Sequence, residues 1–318
     1  MDHAIVLDGV TKRYAGHTAV SELSLAVPRG VIYGILGPNG AGKSTTLRMT
    51  MNIIGRDGGG IEVLGVDPAR EPGILRKVGY LPEERGLYRR MKVLDVIVFF
   101  AELKGLERGE AKRRARVWLE RMGLDEWIDA KVETLSKGMQ QKVQFITTVL
   151  HEPELLILDE PQSGLDPVNQ EVLRDTILSA RNAGGTVLLS THNMSEAQEM
   201  CDTVCIIARG HKVLDGGVRE IRRSHRGDRF YAEFDERTPA VERYLRDSPH
   251  IGVAKRRGEG WELELADRTG PSELVAELNA LDSPLAHFEH LQPSLHDIFV
   301  DYVSDARHAA RHEEPAHA

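Results

Sequence analysis

The run Gly37-Pro38-Asn39-Gly40-Ala41-Gly42-Lys43-Ser44-Thr45 fits the pattern G-x-x-x-x-G-K-[ST]. Its glycines let the backbone curl so that successive N–H groups point at phosphate oxygens. Lys43 adds a positive charge for the β and γ oxygens, and Ser44 a hydroxyl for Mg²⁺. A helix opening at Lys43 would turn its positive end toward the same anion. A second group of residues has complementary chemistry. Leu155-Leu156-Ile157-Leu158-Asp159-Glu160 sets two carboxylates at the end of an apolar run. Asp159 is placed to hold Mg²⁺ through water, and Glu160 to orient or deprotonate an attacking water. Alone, the pair could be a strand ending in a charged turn. With the Lys43 loop it completes a phosphoryl-transfer site.

Such groups need a rigid frame. Val31 to Leu36 is a short apolar run ending at glycine, as suits a buried strand, and a helix is expected from Lys43 to Ile53. Leu155 to Leu158 and Thr186 to Ser190 are further strands, apolar on both faces, as expected in a sheet covered on both sides. Ligands in such sheets bind outside the carboxyl ends of the strands, where both motifs fall. Val93 to Met122 is helix-rich and reads as a helical insert, extending over about residues 90–150.

The character changes in the polar stretch Arg222 to Asp228, which divides a domain over 1–222 from a smaller one over 228–303. In the latter, strands at Arg229–Phe234, Ile251–Arg256, Trp261–Ala266 and Leu285–His290 alternate with helices at Pro239–Arg246 and Ser272–Leu281. That order, β-α-β-β-α-β, is the split motif of a ferredoxin-like α+β fold. A last helix opens at Ser294 with Asp297 as its capping partner. Residues 304–318, rich in Ala, His and Glu, read as a disordered tail.

The 318 residues carry a net charge of −8, which disfavours a nucleic-acid partner. No run approaches the roughly 18 apolar residues of a membrane helix. Val93 to Leu103 comes nearest and is cut by Asp95 and Glu102. No signal peptide is apparent, so the chain alone is expected in the cytosol. Cys201 and Cys205 match no zinc spacing and read as small apolar residues near a helix-to-strand junction.

Further segments resemble ATP-binding cassette proteins over about residues 4–220. Leu135-Ser136-Lys137-Gly138-Met139-Gln140-Gln141 resembles their signature motif, and Pro161 to Pro167 their D-loop. Ser190-Thr191-His192 resembles the switch histidine segment, Tyr14 the aromatic that stacks on adenine, and Gly79 to Glu84 the loop that usually carries glutamine. The resemblance implies an α/β P-loop NTPase core with an antiparallel β edge subdomain and a helical insert. It implies that Ser136 and Gly138 bind the γ-phosphate held by a second copy, and that His192 contacts that phosphate and the water. The alternative for Tyr14, a partly buried strand aromatic, carries less weight; unchanged ATP affinity in a Tyr14→Ala protein would favour it.

Two positions depart from the family pattern. The signature reads Ser-Lys-Gly-Met, and Glu83 stands where glutamine is usual. Ionised Glu83 can ligate Mg²⁺ but cannot donate a hydrogen bond. Both variants look similar to an export branch with sodium-efflux and multidrug-type subunits, which also carries an extra C-terminal domain ending like Pro293-Ser294-Leu295-His296-Asp297-Ile298-Phe299. The expected function is therefore ATP binding and hydrolysis in a homodimer, driving export through separate transmembrane permease subunits at the cytoplasmic face of the membrane. A soluble cassette ATPase acting as a mechanical regulator is the alternative. A P-loop GTPase is disfavoured, because no Asn-Lys-x-Asp segment occurs.

Overall fold

The computed structural model describes residues 2–84, 86–225, 227–266 and 270–302. The chain divides into two compact units between Val218 and Arg219. This lies ahead of the composition change expected at 222–228. A helix (Val218–Ser224, α7 below) spans the division, and the Arg222-Arg223 pair that opens the expected stretch lies in its last turn.

Unit 1 opens with two long strands, β1 (His3–Tyr14) and β2 (His17–Pro28), followed by β3 (Ile32–Leu36), α1 (Lys43–Thr50) and β4 (Gly58–Val63). β2, β1 and β4 form an antiparallel three-stranded sheet. After it come β5 (Val78–Leu81) and the helices α2 (Val93–Leu103), α3 (Arg108–Arg121) and α4 (Lys137–Val149). The rest of the unit is β6 (Leu155–Asp159), α5 (Pro167–Asn182), β7 (Thr186–Thr191), α6 (Met194–Met200), β8 (Thr203–Ala208) and β9 (His211–Gly217).

The main sheet has the order β5-β6-β7-β3-β8-β9, parallel except for β9. Every residue of β3, β6 and β7 is buried, which explains their unbroken apolar runs. The register pairs Leu36 with Thr191, and Asp159 with Ser190, so three neighbouring strands end side by side. The helix expected from Lys43 to Ile53 is shorter and stops at Thr50. Asn52 takes a left-handed φ of 52°, which an α-helix cannot continue through.

α2, α3 and α4 build the insert on inward faces that include Ile97, Leu119 and Ile146. Trp118 meets Phe145 edge-on between α3 and α4. No described helix is long and apolar enough to cross a membrane. Cys201 caps α6 and Cys205 lies in β8; both are buried and free.

Unit 2 contains α7 (Val218–Ser224) from Arg219 onward, then β10 (Arg229–Phe234), α8 (Pro239–Asp247), β11 (Ile251–Arg257), β12 (Gly260–Leu265), α9 (Pro271–Asn279) and β13 (Leu285–His290). The antiparallel sheet runs β11-β12-β10-β13, the strand order of a ferredoxin-like fold. Phe230, Leu245, Leu263 and Leu274 centre its core. A final helical segment, 295–302, begins with a reciprocal cap. Asp297 N donates to Ser294 Oγ at 3.1 Å, and Ser294 N donates to Asp297 Oδ2 at 3.0 Å. The tail 304–318 lies outside the described residues.

Gly79 in β5 is crowded by its neighbours. A Cβ there would stand 2.4 Å from Thr148 O of α4 and 2.8 Å from Leu156 Cδ2 of β6. Gly79→Ala must therefore push α4 off the sheet. It is expected to destabilise unit 1 by about 1–3 kcal/mol, read as a lowered midpoint in thermal unfolding.

Candidate nucleotide site

The loop after β3 is bent where only glycine is comfortable. Gly42 has φ 106°, and a Cβ on it would sit 2.5 Å from Ala19 O. Gly42 is also the N-cap of α1, with no side chain capping the helix and no acidic residue in its first turn. The N–H groups at this helix start are left for an anion. Lys43 follows directly and is 6% exposed. Its Nζ donates to Gly37 O at 2.8 Å and Pro38 O at 3.3 Å, and lies 3.4 Å from Glu160 Oε1.

The carboxylates arrive from β6, two strands away. Asp159 is fully buried. Its Oδ1 accepts hydrogen bonds from Ser44 Oγ at 3.0 Å and from Ser190 Oγ, whereas its Oδ2 has no partner among the described residues. A buried, unpartnered carboxylate oxygen beside a serine hydroxyl is an all-oxygen donor set that fits Mg²⁺. The charge of Asp159 also reaches β5. Burial first, and this carboxylate second, push the Tyr80 phenol up to about 12.

Glu160 turns sharply, with φ 47°. Its N–H donates to Ser190 O at 3.1 Å and to Ser190 Oγ at 3.2 Å, which fixes the turn. Such a conformation costs on the order of 1–3 kcal/mol for a non-glycine residue and is tolerated here by that clasp. His192, just past β7, holds the other side. Its Nδ1 lies 3.0 Å from each Glu160 carboxylate oxygen. His192 is 61% exposed and Glu160 11%.

An open cleft of about 500 Å³ is lined by Tyr14, the 39–45 loop, Glu83 and Glu160. Asn39, Gly40, Ala41, Thr45 and Ser44 thus face it directly. Asp159 is joined to it through Ser44, and His192 through Glu160. Tyr14 ends β1 and is 48% exposed, with Lys12 Nζ 5.6 Å from its ring centre. Glu83 is exposed in the loop after β5.

Ser136 and Gly138 do not line the cleft. Ser136 caps α4, its Oγ accepting from Met139 N at 3.2 Å. A Cβ on Gly138 would come within 3.4 Å of Gly164 O, so this helix start packs against the loop that follows Glu160.

Two contributors were not singled out from the sequence. His17 lines the cleft because it pairs with Tyr14 across the β1–β2 hairpin. Ser190 clasps Asp159 and Glu160 because β7 lies beside β6. The hairpin spacing could have pointed to His17; nothing local marks Ser190.

A family model described as ABC transporter matches residues 20–163, and one described as ATP-binding protein DrrA1-3-like, C-terminal domain, matches 216–303. The uncharacterised ABC transporter ATP-binding protein YhaQ of Bacillus subtilis is 42% identical over 299 residues, 94% of this chain and 98% of that protein. The daunorubicin/doxorubicin resistance ATP-binding protein DrrA of Streptomyces peucetius is 31% identical over 301 residues, 93% of this chain and 91% of that one. A solved structure of an ATP-binding subunit of an ABC transporter superposes with a TM-score of 0.66 at 30% identity, covering 70% of this chain and 92% of the other. Its α/β fold around the Lys43 loop and its relatedness along almost the whole length place this chain in the family of ABC transporter ATP-binding subunits, which are ATPases.

Proposed function

We propose that two copies of this chain close on two ATP molecules, and that hydrolysis and reopening drive export through separate membrane subunits. One observation supports this most: the cleft holds Lys43 and Glu160, with Asp159 joined to it through Ser44 and His192 through Glu160, while Ser136 and Gly138 stand outside it. A second copy's α4 start would supply the missing donors. Ser136 Oγ and the free N–H groups near Gly138 would cap the γ-phosphate from the far side.

In the proposed sequence Tyr14 stacks on adenine and the Gly37–Gly42 backbone wraps the phosphates. Lys43 exchanges its Glu160 contact for β and γ oxygens. Freed of that contact, Glu160 accepts a proton from the attacking water, and His192 holds its carboxylate in place. Ser44, Asp159 and Glu83 would hold Mg²⁺, which when bound offsets charge on the phosphate oxygens.

A second groove of about 630 Å³ includes Arg48, Ile53, Leu87, Phe100 and His151. Tyr88, 53% exposed, packs against Phe99 and Phe100 at 5.5 and 6.1 Å. We assign permease docking to this surface, which adjoins Glu83. It would hold the chain at the cytoplasmic face of the membrane. The name of the Streptomyces peucetius relative favours an organic cargo.

Three outcomes test the proposal. Glu160→Gln is expected to trap an ATP-bound dimer, doubling the mass by light scattering, while turnover falls about 100-fold or more; normal turnover would remove Glu160 as the base. Ser136→Asp keeps the helix cap but sets a negative charge where the phosphate would arrive. It should leave ATP binding to single copies intact and abolish ATP-dependent dimers in size-exclusion chromatography. Tyr14→Ala should weaken ATP binding about tenfold in calorimetry, since base stacking on an aromatic contributes about 1–3 kcal/mol.

A further inference from the structure

Tyr14 stands at the end of β1, where the ladder that holds the strand runs out. β4 pairs with β1 only as far as Thr11, which faces Gly58. On the other side the pairing with β2 shifts register between Val10 and Lys12, and again between Lys12 and Arg13. Such irregularities disrupt the ladder and let a strand bend. The segment that carries Tyr14 into the cleft is therefore weakly paired on both sides.

A residue outside the cleft takes over from the ladder. Asp57 lies just before β4. Its N–H donates to Thr11 O at 2.8 Å, its Oδ2 accepts from Arg13 N at 2.6 Å, and its Oδ1 accepts from Lys12 Nζ at 3.1 Å. One aspartate thus holds three consecutive residues of β1. The loop that carries it is itself fixed. Gly59 has φ 79°, and a Cβ on it would stand 2.4 Å from Asp8 O. Arg56 is engaged elsewhere, with Asp67 at 2.7 Å, and leaves Asp57 to Lys12.

The chain of contacts continues onto the ring. Lys12 Nζ lies 5.6 Å from the Tyr14 ring centre, within the range of a cation–π attraction. The Lys12 side chain is partly buried, while the ring stays exposed. Tyr14 lines the cleft and Lys12 does not. The ammonium therefore steadies the ring without taking up the space a base would use.

We propose that Asp57 is a positioning residue for the nucleotide base: by holding the Arg13 backbone and the Lys12 ammonium, it orients the Tyr14 ring before adenine arrives. This rests on the reading of Tyr14 as the residue that stacks on adenine. A ring ordered in advance loses less freedom on binding, which strengthens the stack. The phosphates are gripped by the Lys43 loop, so the effect of Asp57 belongs to the base alone.

The test is calorimetry on the full chain with ATP and with inorganic tripolyphosphate, which has no base, each with Mg²⁺. A partly exposed ion pair contributes little to folding, so Asp57→Ala is expected to fold. Asp57→Ala should weaken ATP binding about fivefold, and tripolyphosphate binding by less than about 1.5-fold. Added to Tyr14→Ala, it should weaken ATP binding by less than about 1.5-fold more, because the ring it serves is gone. Lys12→Met leaves the Asp57 contacts to the backbone in place and removes the cation; it should weaken ATP binding about threefold and spare tripolyphosphate. Unchanged ATP affinity in Asp57→Ala, or an equal loss with and without Tyr14, overturns the proposal. So does a loss of both ligands together with a lowered thermal midpoint, which marks a structural role alone. Tyr14→Ala by itself separates the two readings. If it binds ATP as wild type does, base stacking on Tyr14 has failed and the role of Asp57 falls with it. If it binds weakly while Asp57→Ala binds normally, only the role of Asp57 has failed.

Discussion

The site depends on a charge arrangement that a single chain can hold only when folded. A buried ammonium, Lys43, and two carboxylates with little exposure, Asp159 and Glu160, converge from the ends of β3 and β6, with β7 between them. Isolated charges would be costly in so dry a place. Here each has partners: two loop carbonyls and Glu160 for Lys43, two serine hydroxyls for Asp159, His192 and the Ser190 clasp for Glu160. Among the described residues Asp159 Oδ2 has no partner, and on the proposed reading it would face the cation. A polyphosphate with its metal would, on that reading, replace contacts that already carry charge.

Rigidity follows from the sheet. β3, β6 and β7 are covered on both faces, so their ends cannot drift, and the loops that leave them are short. The loop after β6 then passes to Gly164, against which the start of α4 packs. A shift at Glu160 is therefore felt at the signature helix, and from α4 at Pro82 and Glu84, whose carbonyls accept from Gln144 Nε2 at 3.3 and 3.2 Å. These contacts run without a break from the loop after Glu160 to Pro82 and Glu84.

Unit 2 is a separate piece of folding with its own core. Its sheet buries Phe230, Ala232 and Phe234 toward α8 and α9 and leaves charged residues such as Glu262, Glu264 and Arg257 on the alternate positions. The alternation has period two in β10 and at the end of β12, whereas β11 and β13 are more evenly exposed.

Much of the site was legible because loop-and-helix chemistry is local. The Lys43 loop, the Asp159–Glu160 pair and the capped start at Ser136 are short runs whose residue types serve the chemistry directly. Apolar runs marked the buried strands, and the split α+β order marked the second unit. Strand neighbours are another matter, since pairing joins residues far apart in the chain. That Ser190 would clasp Asp159 and that His17 would face the phosphate loop both follow from which strands lie side by side. The early end of α1 turned on the left-handed backbone at Asn52, which no apolar periodicity reports. Residue types along the chain named the chemistry; long-range packing chose the partners that hold each charge in place.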